Sequence, residues 1–163
     1  MQQPKPTKVI YFGAGGDSGP LRCKALRGVK TFIFVDALPN NNYYPPETSG
    51  YALSVSIPAI IADLISKLKD KQKLTIEIDE PKSFAKIIYR NRVINYYFNR
   101  TVVDFVNNAE TRAVCASCDT LFVEGFHAIH SGLNIIEHLP NLNFEILEGR
   151  SYDRRYWFPN RAT

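Results

Sequence analysis

Apolar residues fall in short runs along this chain, and the runs switch between two periods. Val9 to Phe12 is nearly all apolar and is followed by Gly13-Ala14-Gly15-Gly16-Asp17. Thr31 to Val35 repeats the pattern and stops on Asp36. Continuous runs of this length predict strands covered on both faces. Between them, Leu21 to Arg27 predicts a short helix, with Pro20 near its first turn and Gly28 ending it. Leu38 to Gly50 carries prolines and three consecutive Asn and predicts a loop. Ile57, Ile60, Ile61, Leu64, Ile65 and Leu68 then recur at the helical period, with Asp63, Ser66, Lys67 and Lys69 on the other side. They predict a helix over Pro58 to Lys69 with a core-facing stripe.

Period two follows. Leu74 to Asp79 alternates strictly and predicts a strand with one wet face. Lys86 to Tyr89 and Val93 to Phe98 flank Arg90-Asn91-Arg92 and predict a β-hairpin, with Asn91 taking the left-handed turn position. A helix begins near Thr101, capped by Thr101 or Asn99. Asp119 to Gly125 predicts a buried strand, Leu133 to Leu139 a short helix stopped by Pro140, and Asn143 to Glu148 the last strand. The alternation predicts an α/β fold: a Rossmann-like three-layer sandwich, its sheet mostly parallel with an antiparallel hairpin excursion. Residues 1–7 read as a disordered lead without the apolar core of a signal peptide, 8–149 as one domain, and 150–163 as a basic and aromatic tail.

Composition changes this picture little. At 163 residues with 45% hydrophobic and 22% charged positions, the chain suits a single soluble domain. A net charge of +4 favours anionic partners without amounting to a nucleic-acid signature. The sequence has no apolar run long enough to span a membrane. Three cysteines, an odd count, suit a reducing compartment such as the cytoplasm.

The chemistry centres on the glycine turn. Gly13 and Gly15 permit positive φ and let a ligand approach bare main chain. Asp36 follows Gly15 by 21 positions, the spacing of an acid that binds ribose hydroxyls, and an acid there disfavours a 2′-phosphate. The third glycine of a dinucleotide fingerprint is replaced by Ser18, which argues for a cofactor without a pyrophosphate.

Val9 to Asp17 together with Phe32 to Asp36 resembles the first two motifs of class I S-adenosylmethionine-dependent methyltransferases. The resemblance implies S-adenosylmethionine as cofactor. Gly13, Ala14, Gly15, Gly16 and Asp17 would lie along its methionine part, Asp36 would hold the ribose, and Ala37 and Leu38 would border the adenine. Two departures stand out. Tyr11 replaces the family's acid two residues before the first glycine, with Asp17 the candidate substitute across the turn. The family's signature after the fourth strand is missing from Val123-Glu124-Gly125-Phe126-His127. Tyr11–Gly15, Phe34–Pro39 and Asp119–His127 together also resemble small proteins of large DNA viruses. That resemblance implies a shortened methyltransferase-like fold with activity lost, and a location in the infected cell or the virion.

His127, just past a parallel strand, is the candidate acid-base residue. Cys115, Cys118, His127 and His130 have the letters of a zinc site. However, a strand over 119–125 would hold Cys118 and His127 more than about 20 Å apart, so no metal is expected.

Three basic clusters remain: Arg22, Lys24, Arg27 and Lys30; Arg90, Arg92 and Arg100; and a tail in which Arg154 and Arg155 interleave with Tyr152, Tyr156, Trp157 and Phe158. The tail suits a protein partner or its own domain, and less strongly a nucleic-acid strand. Three readings stay open: an adenosine-cofactor enzyme, a non-enzymatic interaction protein on the same fold, and a nucleic-acid-binding module.

Overall fold

The computed structural model describes residues 5–39, 56–123 and 145–148. These residues form one mixed sheet of seven strands: β1 (Lys8–Phe12), β2 (Thr31–Val35), β3 (Leu74–Asp79), β4 (Phe84–Tyr89), β5 (Arg92–Tyr97), β6 (Thr120–Val123) and β7 (Glu145–Glu148). Their order across the sheet is β3-β4-β5-β2-β1-β6-β7. The pairs β5–β2, β2–β1, β1–β6 and β6–β7 are parallel, while β3–β4 and β4–β5 are antiparallel. The chain is thus α/β with a mostly parallel sheet and an antiparallel excursion at one edge.

Period-two alternation sorts the central strands into two cores. Val9, Tyr11, Phe32, Phe34, Ile94, Tyr96 and Phe122 face one side. There they meet α1 (Gly19–Arg22), a 3-10 turn over Lys24–Leu26, and α2 (Ile57–Ser66). Ile10, Phe12, Ile33, Val35, Leu121 and Val123 face the other side, against α3 (Val102–Asn107) and α4 (Ala109–Ala116). Strands covered on both faces need apolar residues at every position, which is why β1, β2 and β6 read as unbroken runs.

Three predicted elements differ from the structure. The helix over Leu21–Arg27 is broken at Cys23, which is extended (φ −76°, ψ 125°). The Arg92 guanidinium accounts for the break: it donates to the carbonyls of Leu21 (2.8 Å), Leu26 (2.8 Å) and Val29 (2.9 Å), satisfying from outside what a longer helix would satisfy within. The helix over Pro58–Lys69 ends at Ser66, whose hydroxyl bonds back to the Asp63 carbonyl (2.6 Å). Its start is held by Ser56, whose hydroxyl accepts from the Ala59 amide (3.2 Å). At the hairpin tip the left-handed residue is Arg90 (φ 58°), not Asn91. Arg90 is pinned there: its amide donates to the Lys73 carbonyl (3.1 Å), its guanidinium pairs with Asp70, and it lies over the Tyr89 ring.

The stretch from Thr101 forms two helices. Thr101 caps α3 through the Asp104 amide (3.1 Å), and Asn108 breaks the run and caps α4 through the Glu110 amide (3.0 Å). Asn99 has a positive φ (59°) and caps neither helix. β6 and β7 fall within the strands expected over Asp119–Gly125 and Asn143–Glu148; residues 124–125 and 143–144, like the predicted helix over Leu133–Leu139, lie outside the described residues. Among the described residues, no helix is long and apolar enough to cross a membrane.

Candidate functional site

Two places on this sheet gather chemistry, and they lie at opposite ends of the parallel strands. The glycine turn follows the last residue of β1. The tip of the β4–β5 hairpin precedes the first residue of β5. Since β1, β2 and β5 run parallel, these mark the C-terminal and N-terminal edges.

At the C-terminal edge, Gly13 (φ 72°) and Gly15 (φ 49°) occupy left-handed backbone, as the glycine spacing predicts. The turn hooks onto β2: the Gly13 and Ala14 amides donate to the Val35 carbonyl at 2.7 and 3.3 Å. Asp36 is 3% exposed and aims back at the same turn. One carboxylate oxygen accepts from the Gly15 amide (2.6 Å) and the other from the Leu38 amide (2.8 Å). The Tyr96 hydroxyl donates to the Gly15 carbonyl (2.6 Å), and Lys67 Nζ donates to the Gly16 carbonyl (3.1 Å). A Cβ at Gly16 would run into the Asp63 side chain of α2, so this glycine makes room for the protein itself. Tyr11 donates its hydroxyl proton to Asp17 (2.7 Å), and the other Asp17 oxygen accepts from the Gly19 amide (2.8 Å).

The structure therefore brings Gly13 to Asp17 together with Asp36, Ala37 and Leu38. It also adds Tyr96, Asp63 and Lys67, which the sequence reading did not place there. The inward phase of Tyr96 in β5 was readable from alternation, but its hydroxyl partner was not. In chemical terms the arrangement is a latch: a buried carboxylate holds two main-chain amides in charge-assisted bonds.

At the N-terminal edge, two of the sequence clusters merge. A groove of about 660 Å³ lies between α1 with its 3-10 turn, the segment after α2, and the hairpin tip. Among the described residues, seven that line it are cationic (Arg22, Lys24, Arg27, Lys67, Lys69, Arg90, Arg92) and none is acidic. Lys30 and Arg100 lie outside it; Arg100 sits over the Tyr97 ring (5.2 Å).

Part of this charge is structural. α1, the 3-10 turn and α2 all end at the groove, so their terminal carbonyls concentrate partial negative charge there. Arg92 answers it with three hydrogen bonds while covering the Phe32 ring (4.7 Å), and its burial lowers its pKa. Arg90 is paired with Asp70, and Lys67 lies 3.7 Å from Asp63. Arg22 bonds Ser18 Oγ (3.0 Å). Among the described residues Arg22, Lys24, Arg27 and Lys69 have no acidic partner, and all four are exposed. α2 was the missing signal: its C-terminal lysines read as the polar face of a helix, and nothing in their spacing ties them to the hairpin.

Cys115, in α4, and Cys118, just past its end, lie in the core. Burial pushes the Cys115 thiol up to about 12, with Cys118 adding and Arg112 opposing. Burial likewise pushes Cys118 up to about 11. Both are protonated at neutral pH, which makes them weak nucleophiles and weak ligands. Among the described residues no group of three or more His, Cys, Asp or Glu side chains is placed to hold a metal ion. His127, His130 and His138, and the tail residues Tyr152, Arg154, Arg155, Tyr156, Trp157 and Phe158, lie outside the described residues.

Comparison of the chain with protein-family models, with curated proteins and with solved structures gave no match.

Proposed function

We propose that this chain is a Rossmann-like, methyltransferase-like domain that works as a binding module for a phosphate-rich anionic ligand held at the N-terminal edge of its sheet. The fold part of this reading is supported by strand order. Numbered among themselves in chain order, the parallel strands run 3-2-1-4-5, with helices on both faces. The functional part is carried by one observation: exposed cations from segments far apart in sequence surround one groove that no acid among the described residues lines. Such a concave patch concentrates anions and speeds their capture.

The test is calorimetric titration with inorganic polyphosphate, comparing wild type with the K24E/R27E/K69E variant. Binding by wild type that falls at least about tenfold in the variant supports the reading. Equal binding by both proteins, or by neither, refutes it.

A second reading is favoured by the C-terminal edge. Two positive-φ glycines and a carboxylate on the adjacent strand, at the side where open α/β sheets take ligands, suit the adenosine-bearing cofactor S-adenosylmethionine. Gly13, Ala14, Gly15, Gly16, Asp17, Asp36, Ala37 and Leu38 would then form its bed. Binding would require the ribose to compete with the Gly15 and Leu38 amides for Asp36. A rise in melting temperature with millimolar S-adenosylmethionine, lost in Asp36→Ala, is what this reading expects.

A further inference from the structure

We infer that the ligand of the basic groove is a single strand of nucleic acid, gripped by its phosphates without regard to sequence. This rests on the anionic-ligand reading above and narrows it. Three observations point to a strand. First, the large apolar side chains of the lining are not on offer: Leu21, Leu68 and Tyr89 are 7%, 6% and 6% exposed, and the Tyr89 ring is already covered by Arg90. Protein partners are held mainly by aromatic and apolar anchors entering pockets, so an acidic protein surface would find charge here but little else. Phosphate neutralisation with counterion release needs only the charges.

Second, the groove does not stop at the hairpin tip. Arg90 and Asn91 also border a second hollow of about 550 Å³ that continues past the tip to Gln72, Lys73 and Thr75. The cations thus follow a path, from Lys24 and Arg27 past Lys69 and Arg90 to Lys73, which suits an extended chain of charges better than a compact anion.

Third, the site is a hollow walled on three sides by α1 with its 3-10 turn, the end of α2 and the hairpin. A duplex presents its phosphates on a broad convex surface and meets only the rim, whereas a single strand can enter. Once inside, the Arg22 and Arg27 guanidinium planes are able to stack on unpaired bases, which tolerates any sequence.

The experiment is fluorescence anisotropy of a labelled 20-nucleotide oligo-dT. A mixed-sequence single strand, a blunt duplex of equal length and inorganic polyphosphate compete, across a series of salt concentrations. The expected result is binding of both single strands within about threefold of each other and of the duplex at least about tenfold more weakly. If the five cations of the two hollows without acidic partners among the described residues (Arg22, Lys24, Arg27, Lys69 and Lys73) each meet a phosphate, log Kobs falls against log salt with a slope of about −3.5. The milder K24Q/K69Q variant, which removes charge without inverting it, should lower that magnitude by about 1.4 while circular dichroism stays unchanged. Binding of polyphosphate together with duplex as tight as single strand overturns the strand inference and leaves the anionic-groove reading standing. Binding of none of the four ligands overturns both. A slope unchanged in K24Q/K69Q places the site elsewhere and also overturns both.

Discussion

The two edges of this sheet use their polar groups in opposite ways. At the glycine turn the carboxylate, the phenol and the ammonium reach main-chain partners, and the polar chemistry is turned inward on the protein. At the hairpin edge Arg92 alone satisfies three carbonyls, which leaves Arg22, Lys24, Arg27 and Lys69 exposed without acidic partners among the described residues. A motif that looks like a ligand site in sequence has become a latch, and cations that look like scattered surface charge have become a groove. The lesson is about partners: what a residue type can bind matters less than whether the fold has already bound it.

The largest effect should come from Arg92, where the groove's frame is built. Arg92→Met keeps the apolar stem over Phe32 but leaves the Leu21, Leu26 and Val29 carbonyls without this donor. Losing charged donors to partly buried carbonyls should cost about 3 kcal/mol. Urea unfolding measures it, and a change below about 1 kcal/mol would show that water takes over these carbonyls.

Next comes the latch. Asp36→Asn exchanges an acceptor-only group for one whose amide must face a main-chain N–H, so one of the two bonds is lost. A destabilisation of about 2 kcal/mol is expected in the absence of any ligand. An unfolding midpoint equal to wild type would mean that the carboxylate is not needed for folding, and would move weight to the cofactor reading.

The latch was half legible in the sequence. The spacing of Gly13, Gly15 and Asp36, the strands around them and the positive φ of both glycines follow from local rules, so residue order sufficed. That Asp36 would turn to Gly15, and that Tyr96 would reach the same peptide, depends on the register between β2 and β5, which periodicity does not fix. The groove was less legible still. Arg22 and Arg90 line one groove only because the β4–β5 turn returns beside α1, making Arg92 a donor to a helix carbonyl 71 residues earlier. The broken first helix has the same origin, since its carbonyls are taken by a side chain from a distant strand. Intrinsic preference favours Asn91 for the left-handed turn position, and tertiary anchoring of Arg90 overrides it.

A smaller, pH-dependent effect sharpens the contrast from the N-terminal edge. Burial alone would raise the Asp119 pKa. Hydrogen bonds from the Thr7 hydroxyl, from Thr120 and from the Thr7 and Lys8 amides outweigh it and hold the carboxyl below its ordinary 3.8. A depressed folded pKa means that Asp119 stabilises the protein above the unfolded value, and that this contribution is lost as pH falls through the lower folded one. Asp119→Asn should therefore reduce stability at pH 7 and flatten the acid limb as pH falls below the ordinary carboxylate value. Parallel wild-type and variant curves over that range would contradict it.

The smallest effect on stability should come from the groove cations themselves. K24E/R27E/K69E alters exposed side chains with no acidic partners, so stability should stay within about 0.5 kcal/mol of wild type. A loss of more than about 1 kcal/mol would show these residues to be structural after all.

An anionic strand held by this protein must touch it at the N-terminal edge of the sheet. Amide chemical-shift mapping of the isotope-labelled protein with unlabelled oligo-dT reads that directly. The prediction is that perturbations cluster at Arg22, Lys24, Arg27, Lys69 and Arg90, with Gly13 to Asp17 unmoved. Perturbations centred on the glycine turn, or none at saturating oligonucleotide, would contradict it.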